Sequence, residues 1–195
     1  FYGKRLTYID VGAFKGEVYK ELLNSKLKIR EAHLFEPNPK TIIELTANID
    51  GLNLKNAHVH NSAIGSKEEI LKFKSNESMT KVLDSKTVNS KNIFSANSIT
   101  LDDFINTLTE KHISLLKVDV EGFEKEVLEG ALNSLANQDI DMVYIEAGMN
   151  KDNIQQCYYR EIEDLLTIQG YKIFRIYEQM FEWIEDSPFL RRVNI

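Results

Sequence analysis

Residues 8–16, YIDVGAFKG, set an acid and two glycines directly after an apolar run that reads as a buried strand. A strand ending in a glycine turn and leading into a helix is the usual first unit of a ligand-binding α/β sheet, so the composition of the turn bears on the ligand. A dinucleotide turn needs G-x-G-x-x-G, because its second glycine lets the backbone approach a pyrophosphate. Here the order is Asp10-Val11-Gly12-Ala13-Phe14-Lys15-Gly16, and the middle glycine is replaced by Phe14. The phosphate loop G-x-x-x-x-G-K-[ST] occurs nowhere. A carboxylate before the first glycine repels a pyrophosphate but suits a cation or an amino group. S-adenosylmethionine fits, with its ammonium, its sulfonium and no phosphate.

Glu36, in HLFEPNP, closes the next apolar run about 20 residues beyond the glycine turn, where an acid can accept both ribose hydroxyls. Short apolar or β-branched runs at 6–11, 32–35, 57–60, 115–120 and 142–145 carry the marks of strands. Helical spacing lies between them, at Val18, Leu22 and Leu23, at Ile42, Ile43, Leu45 and Ile49, and at Val127, Leu128, Leu132 and Leu135. This alternation predicts an α/β fold of parallel βαβ units with helices on both faces of the sheet. Thr100 is expected to cap a helix with Asp102 and Asp103 in its first turn, and Asn38 to cap another with Pro39 at its first position. Gly170 is expected to stop the helix of Ile162, Leu165 and Leu166, before a strand over 171–177 and an antiparallel partner over 177–183. Residues 75–98, rich in Ser, Asn and Lys, show no period and are expected to form an irregular, mobile lid and, with the segment MNKDNIQQCYY after Gly148, the acceptor side of the site.

A chain of 195 residues, 43% hydrophobic, can bury one substantial core, so a single domain over 1–195 is expected. It opens on Phe1, as a piece excised from a longer chain would. A net charge of −6 works against the basic footprint of a nucleic-acid binder. No apolar run approaches the roughly 20 residues of a membrane span, and no leader pattern is visible, so a cytoplasmic protein without a transmembrane segment is expected. Cys157 stands alone, which excludes an internal disulfide and a cysteine-based zinc cage.

YIDVGAFKG, HLFEPNP, NSAIGSKEEILKF, SITLDDFI, LLKVDVEGFEKEVLEGA and VYIEA occur here in an order and spacing that resemble the FkbM family of S-adenosylmethionine-dependent methyltransferases. The resemblance runs from Tyr8 to about Tyr177. It implies a class I, Rossmann-like methyltransferase fold, with a seven-stranded, mostly parallel sheet and helices on both faces. It also implies O-methylation of sugars, polysaccharides or related natural products. The family commonly carries Asn where Phe14 stands, and Ser or Thr shortly after Gly16, where Val18 and Tyr19 occur here.

Candidate cofactor contacts are Asp10, Gly12, Ala13 and Gly16 in the first turn, Glu36 at the ribose, and Asn61, Ser62 and Ala63, which follow the third strand on the adenine side. An alcohol acceptor must lose its proton to a base, or have its pKa lowered by a metal. In KVDVEGFE, Asp119 and Glu121 stand at the carboxyl edge of the sheet, and Glu146 closes the next strand, which makes these three the candidate catalytic residues. Asp119 is also a candidate cofactor contact. Three carboxylates there could hold magnesium, but a base supported by hydrogen bonds is preferred and no metal ligand is assigned. Glu121 or Glu124 could instead cap the helix that follows. His58 and His60 share a strand face and could pair on a metal, but a place away from the acids favours packed or solvated imidazoles; His33 and His112 lie away from the chemistry.

The partner expected is a hydroxylated small molecule or glycan, with fused domains or self-association left open. Two other readings stand beside this one: a non-catalytic methyltransferase-like module in a larger glycan-processing protein, and a nicotinamide-dependent oxidoreductase, which the missing glycine weakens.

Overall fold

The computed structural model describes residues 5–76, 79–83, 92–152 and 156–176, together with the backbone of 183–184 and 187–188. In chain order the elements are β1 (Arg5–Val11), α1 (Glu17–Asn24), β2 (Lys28–Phe35), α2 (Thr41–Asp50), β3 (Ala57–His60), β4 (Ala63–Ile64), β5 (Glu69–Asn76), β6 (Met79–Val82) and β7 (Ile93–Ile99). They continue with α3 (Leu101–Thr107), β8 (Leu115–Val118), α4 (Glu124–Glu129), α5 (Leu132–Ala136), β9 (Val143–Ile145), α6 (Tyr159–Ile168), β10 (Trp183–Ile184) and β11 (Ser187–Pro188).

Five strands form a parallel sheet in the order β3-β2-β1-β8-β9. The chain winds outward from β1 through β2 to β3, then returns to lay β8 on the other side of β1. The boundary between β1 and β8 is therefore the point where strand order reverses, and ligands of open α/β sheets bind beyond the carboxyl ends there.

Alternation along the strands sorts the core into two faces. Tyr8, Ala32 and Leu34 pack with Tyr19 of α1 and with Leu45 and Ile49 of α2. Ile9, Val11, Phe35, Leu116 and Val118 pack on the other face with Phe104, Val127, Leu135 and Ile162, from α3, α4, α5 and α6. Helices thus cover both faces, as the alternation predicts.

Local signals held in part. Thr100 Oγ1 accepts the Asp103 N–H at 3.0 Å, a side-chain cap on α3. Asp102 does something else: its carboxylate accepts from the backbone N–H of Asn133 and Ser134 and from the Ser134 hydroxyl, so it caps α5 and ties two helices together. Regular helix α2 begins at Thr41, with Asn38 and Pro39 ahead of it, yet Asn38 Oδ1 still accepts the Lys40 N–H and its carbonyl accepts from Ile42. Past α6, Gly170 takes φ 87°, and the Tyr171 N–H bonds back to Leu166 O, which stops the helix as its sequence implies.

Three expectations need correction. The apolar spacing from Val127 to Leu135 makes two short helices, interrupted at Gly130, where a Cβ would come within 2.0 Å of the Gly65 carbonyl oxygen. Residues 171–176 form no strand, and β10 pairs with β11 instead; most of the 177–183 stretch lies outside the described residues. Among the described residues the parallel sheet counts five strands.

The third correction concerns 75–98. Its described parts belong to a second sheet, β4-β7-β5-β6, in which β5 runs antiparallel to both neighbours. Every second residue faces inward, with Phe73 buried and stacked on Phe94, while Ile70, Lys72 and Lys74 face out. This sheet roofs the switch point. Its root is tightly fixed: Gly65 follows β4, donates to Ile99 O at 3.0 Å, and touches Gly130 backbone to backbone.

At the β2–β3 edge, His33 is buried with its Nδ1 3.1 Å from His60 Nε2, and its ring stacks on His58 at 5.1 Å. Burial, reinforced by the neighbouring imidazoles, lowers the pKa of both His33 and His60 to about 4. Both rings are neutral in the folded protein, whereas unfolded histidine takes up a proton near pH 6.5. Their contribution to stability is therefore complete above about pH 6.5 and is lost as pH falls toward 4. Denaturant unfolding from pH 7 to pH 4.5 is expected to show this loss, and a His33→Gln/His60→Gln variant a shallower one.

Candidate active site

The glycine turn follows directly from β1. Gly12 sits at φ 80°, and a Cβ on it would lie 1.9 Å from the Asp119 carbonyl oxygen, so only glycine lets the β1 and β8 loops approach this closely. The N–H groups of Gly12 and Ala13 both donate to Phe35 O, which locks the turn to the end of β2.

Beyond the strand ends lies a cavity of ≈ 230 Å³. Its floor and walls include Gly12, Ala13, Phe14, Glu36, Lys117, Asp119 and Glu121, with Ser62 and Ala63 on one side. Phe73, Thr80 and Val82 of the second sheet line it from above. Four carboxylates, Glu17, Glu36, Asp119 and Glu121, face one cation, Lys117.

Asp10 is fully buried and does not line this cavity. Its Oδ2 accepts the Tyr8 hydroxyl at 2.8 Å, and its Oδ1 lies 3.1 Å from Lys117 Nζ. A cation beside Asp10 was the expectation; the structure supplies an internal one. Lys117 also reaches Asp119 Oδ2 and the Gly12 carbonyl, each at 3.2 Å. Burial acts to lower the Lys117 pKa, but the charges of Asp10 and Asp119 outweigh it and the ammonium is held above the ordinary lysine value. Burial in turn raises Asp10, against the opposing pull of Lys117 and the Tyr8 hydrogen bond. The sequence signal for Lys117 was a lysine inside the apolar run LLKV.

Glu36 is buried at the end of β2. Its Oε1 accepts the Asn38 N–H at 2.8 Å and its Oε2 the Phe14 N–H at 3.1 Å. Burial is the largest influence on it and raises its pKa to about 7, against these two hydrogen bonds. Asn61 donates to the Glu36 carbonyl at 3.0 Å and is not a wall of the cavity, whereas Ser62 and Ala63 are. Gly16 likewise stays off the cavity, at φ 80°, packed against Leu45 and Ile49 of α2. Phe14 lies in the left-handed region at φ 47°, a conformation that asparagine tolerates better than phenylalanine.

The three catalytic candidates converge. Burial raises Glu121 to about 7, helped by the charges of Asp119, Glu146 and Glu124. Burial likewise raises Glu146, with Asp119 next in effect; its Oε1 accepts from Gln156 Nε2 at 2.5 Å, and it stands behind Asp119, off the cavity wall. Glu124 was weighed as a helix cap and proves to be a brace: buried, it accepts the Gly122 N–H at 2.9 Å and the Cys157 N–H at 3.0 Å. Nothing in the spacing of Glu124 and Cys157 announces that contact. Among the described residues, no group of three or more His, Cys, Asp or Glu is arranged to hold a metal ion, and no helix is long and apolar enough to cross a membrane.

A doubly wound sheet with a carboxylate-lined cleft at its switch point defines a Rossmann-like α/β ligand-binding domain. The chain matches the Methyltransferase FkbM domain over residues 10–173, and it belongs to that family of methyltransferases. Among solved structures it is similar to the methyltransferase FkbM of Methylobacillus flagellatus KT, with a TM-score of 0.56 and 16% identity, over 85% of this chain and 36% of that one. At that identity the likeness is one of fold, and the chain spans little more than a third of that protein's length. No curated protein matches it.

Removing the Lys117 ammonium leaves Asp10 buried without its counter-charge, a loss of about 3–5 kcal/mol. Lys117→Met is therefore expected to unfold at markedly lower denaturant, and Asp10→Asn/Lys117→Met to recover most of the difference, as read by circular dichroism.

Proposed function

We propose that this protein transfers a methyl group from S-adenosylmethionine to a hydroxyl of a sugar, a polysaccharide or a related natural product. The observation that carries the reading is Glu36. Each of its oxygens has accepted one backbone N–H, and a carboxylate oxygen can accept two hydrogen bonds, so one acceptor site per oxygen remains. Two vicinal ribose hydroxyls match that pair. The remaining lining favours the same ligand, since a cleft with four carboxylates and one ammonium attracts a cation and repels a pyrophosphate. The same argument weighs against a nicotinamide dinucleotide.

When bound, the donor supplies a methyl carbon already activated by its sulfonium. In this reading Asp119, held in place by Lys117, receives the ammonium end, and Gly12 and Ala13 border it. Ser62 and Ala63 face the adenine. Asp10 and Gly16 act indirectly, Asp10 by fixing Lys117 and Gly16 by seating the turn on α2; Asn61 steadies the Glu36 backbone. Glu121 accepts the acceptor hydroxyl's proton: it lines the cavity, and its pKa of about 7 suits a base working near neutrality. Glu146 maintains the negative field behind Asp119. The corresponding fold is a class I sheet of seven strands, and the setting a cytoplasmic domain of a longer chain.

The second reading, a non-catalytic module, draws its support from Phe14, whose side chain borders the cavity from a left-handed backbone. Binding of the donor without turnover on any hydroxylated acceptor would favour it.

Isothermal titration with S-adenosylhomocysteine is expected to show binding that weakens at least about tenfold in Glu36→Ala, a change of about 1.4 kcal/mol. Protonation removes acceptor capacity from Glu36, so wild-type affinity is expected to fall as pH drops below about 7, with a flatter profile in Glu36→Gln. Absence of binding at millimolar ligand would end the proposal.

A further inference from the structure

We infer that a smaller cavity beside the first, bounded by Lys81, Val82 and Leu83 and by Glu121, Gly122 and Phe123, is the acceptor subsite and takes one hydroxylated ring of sugar size. The inference rests on the methyltransferase reading above and adds where the acceptor lies and which chemistry receives it.

Val82, Glu121 and Phe123 line both cavities. A donor in the larger one and an acceptor in the smaller therefore meet at a common wall. Within that wall Glu121 alone offers a proton-accepting side chain, so a hydroxyl placed in the smaller cavity finds its base at the boundary with the donor.

The backbone is built to put Glu121 there. Glu121 at φ 53° and Gly122 at φ 92° are two successive left-handed residues just past the end of β8. Such a conformation costs a residue with a side chain free energy, and it persists where the surroundings impose it. Here Glu124 imposes it, accepting the Gly122 N–H on one oxygen and the Cys157 N–H on the other. The turn is thereby pinned across 33 residues of sequence, with Glu121 at the partition.

The lining selects the ligand class. Val82, Leu83 and Phe123 offer apolar surface to the C–H face of a ring, while Glu121 meets its hydroxyl rim. Sites that combine a mostly apolar wall with few convergent polar groups orient small polar ligands. The cavity measures ≈ 150 Å³ and is open to solvent on one side, so a single ring rests one face on it.

The test uses isotopically labelled protein saturated with S-adenosylhomocysteine and titrated with methyl α-glucopyranoside and methyl α-rhamnopyranoside, read by amide chemical shifts. Saturable shifts are expected at residues 81–83 and 122–123. Leu83→Trp, which fills the cavity, is expected to weaken glycoside binding at least about tenfold while S-adenosylhomocysteine affinity stays within about twofold. Shifts confined to other residues, unchanged glycoside binding in Leu83→Trp, or no shift with either glycoside would overturn the subsite. Failure of wild-type protein to bind S-adenosylhomocysteine would instead overturn the donor reading. The glycoside titration, repeated without that ligand, would then judge the subsite on its own.

Discussion

The Lys117 ammonium is the point from which the cleft is organised. It projects from β8 across the switch point, pairs with Asp10 on β1, and reaches both the Gly12 carbonyl of the glycine turn and Asp119. Two segments more than a hundred residues apart, 10–12 and 117–119, are thus held within hydrogen-bonding distance of one atom. Apolar residues of similar volume in place of Asp10 and Lys117 together could hold the same strands at no greater free-energy cost, because desolvation consumes most of what a buried ion pair returns. The ions add direction: Asp119 is presented to the cavity at a fixed height above the sheet. Asp10, which the sequence places next to the ligand, acts one layer below it.

Carboxylates in this protein divide into two kinds, and their hydrogen bonds tell them apart. Asp102 and Glu124 use their oxygens on backbone N–H groups of distant segments, α5 for the first and the Cys157 loop for the second. Such acids are structural struts. Glu36 is intermediate, half committed to the backbone and half open to the cleft. Glu121 lies at the other end, held in place by its neighbours' bonds while its own carboxylate borders the cavity. Acid content along the chain carries none of this distinction, since helix caps, struts and cleft walls all read as Asp or Glu at the end of an element.

The parts of the fold written in local grammar were legible in the sequence. Short apolar or β-branched runs ending near glycine, acid or asparagine located β1, β2, β3, β8 and β9 to within a few residues, most plainly for β1 and β8, whose central positions are almost continuously apolar. Thr100 and Gly170 marked helix ends for equally local reasons. The second sheet escaped notice. Its inward residues, Phe73 and Phe94 among them, are separated by Ser, Asn and Lys on a solvent-facing side, and short strands with polar backs resemble loop composition. Lys117, Glu124 and the His33–His60 pair also escaped, for another reason: each depends on a partner far away in sequence, whose position exists only after folding.

The contact between Gly65 and Gly130 bears on how the cleft exchanges its contents. Backbone packed on backbone, with no side chain to yield, makes a joint as stiff as the main chain itself. The roofing sheet is in effect a cantilever clamped at β4 and extending toward the β5–β6 hairpin. Held there, the sheet has its least constrained part at the β5–β6 end, the far edge from β4. Passage of a ligand would then be governed by the elasticity of the β5–β6 ladder, and a residue that stiffened that ladder would slow entry and exit alike while leaving the carboxylates beneath it where they are.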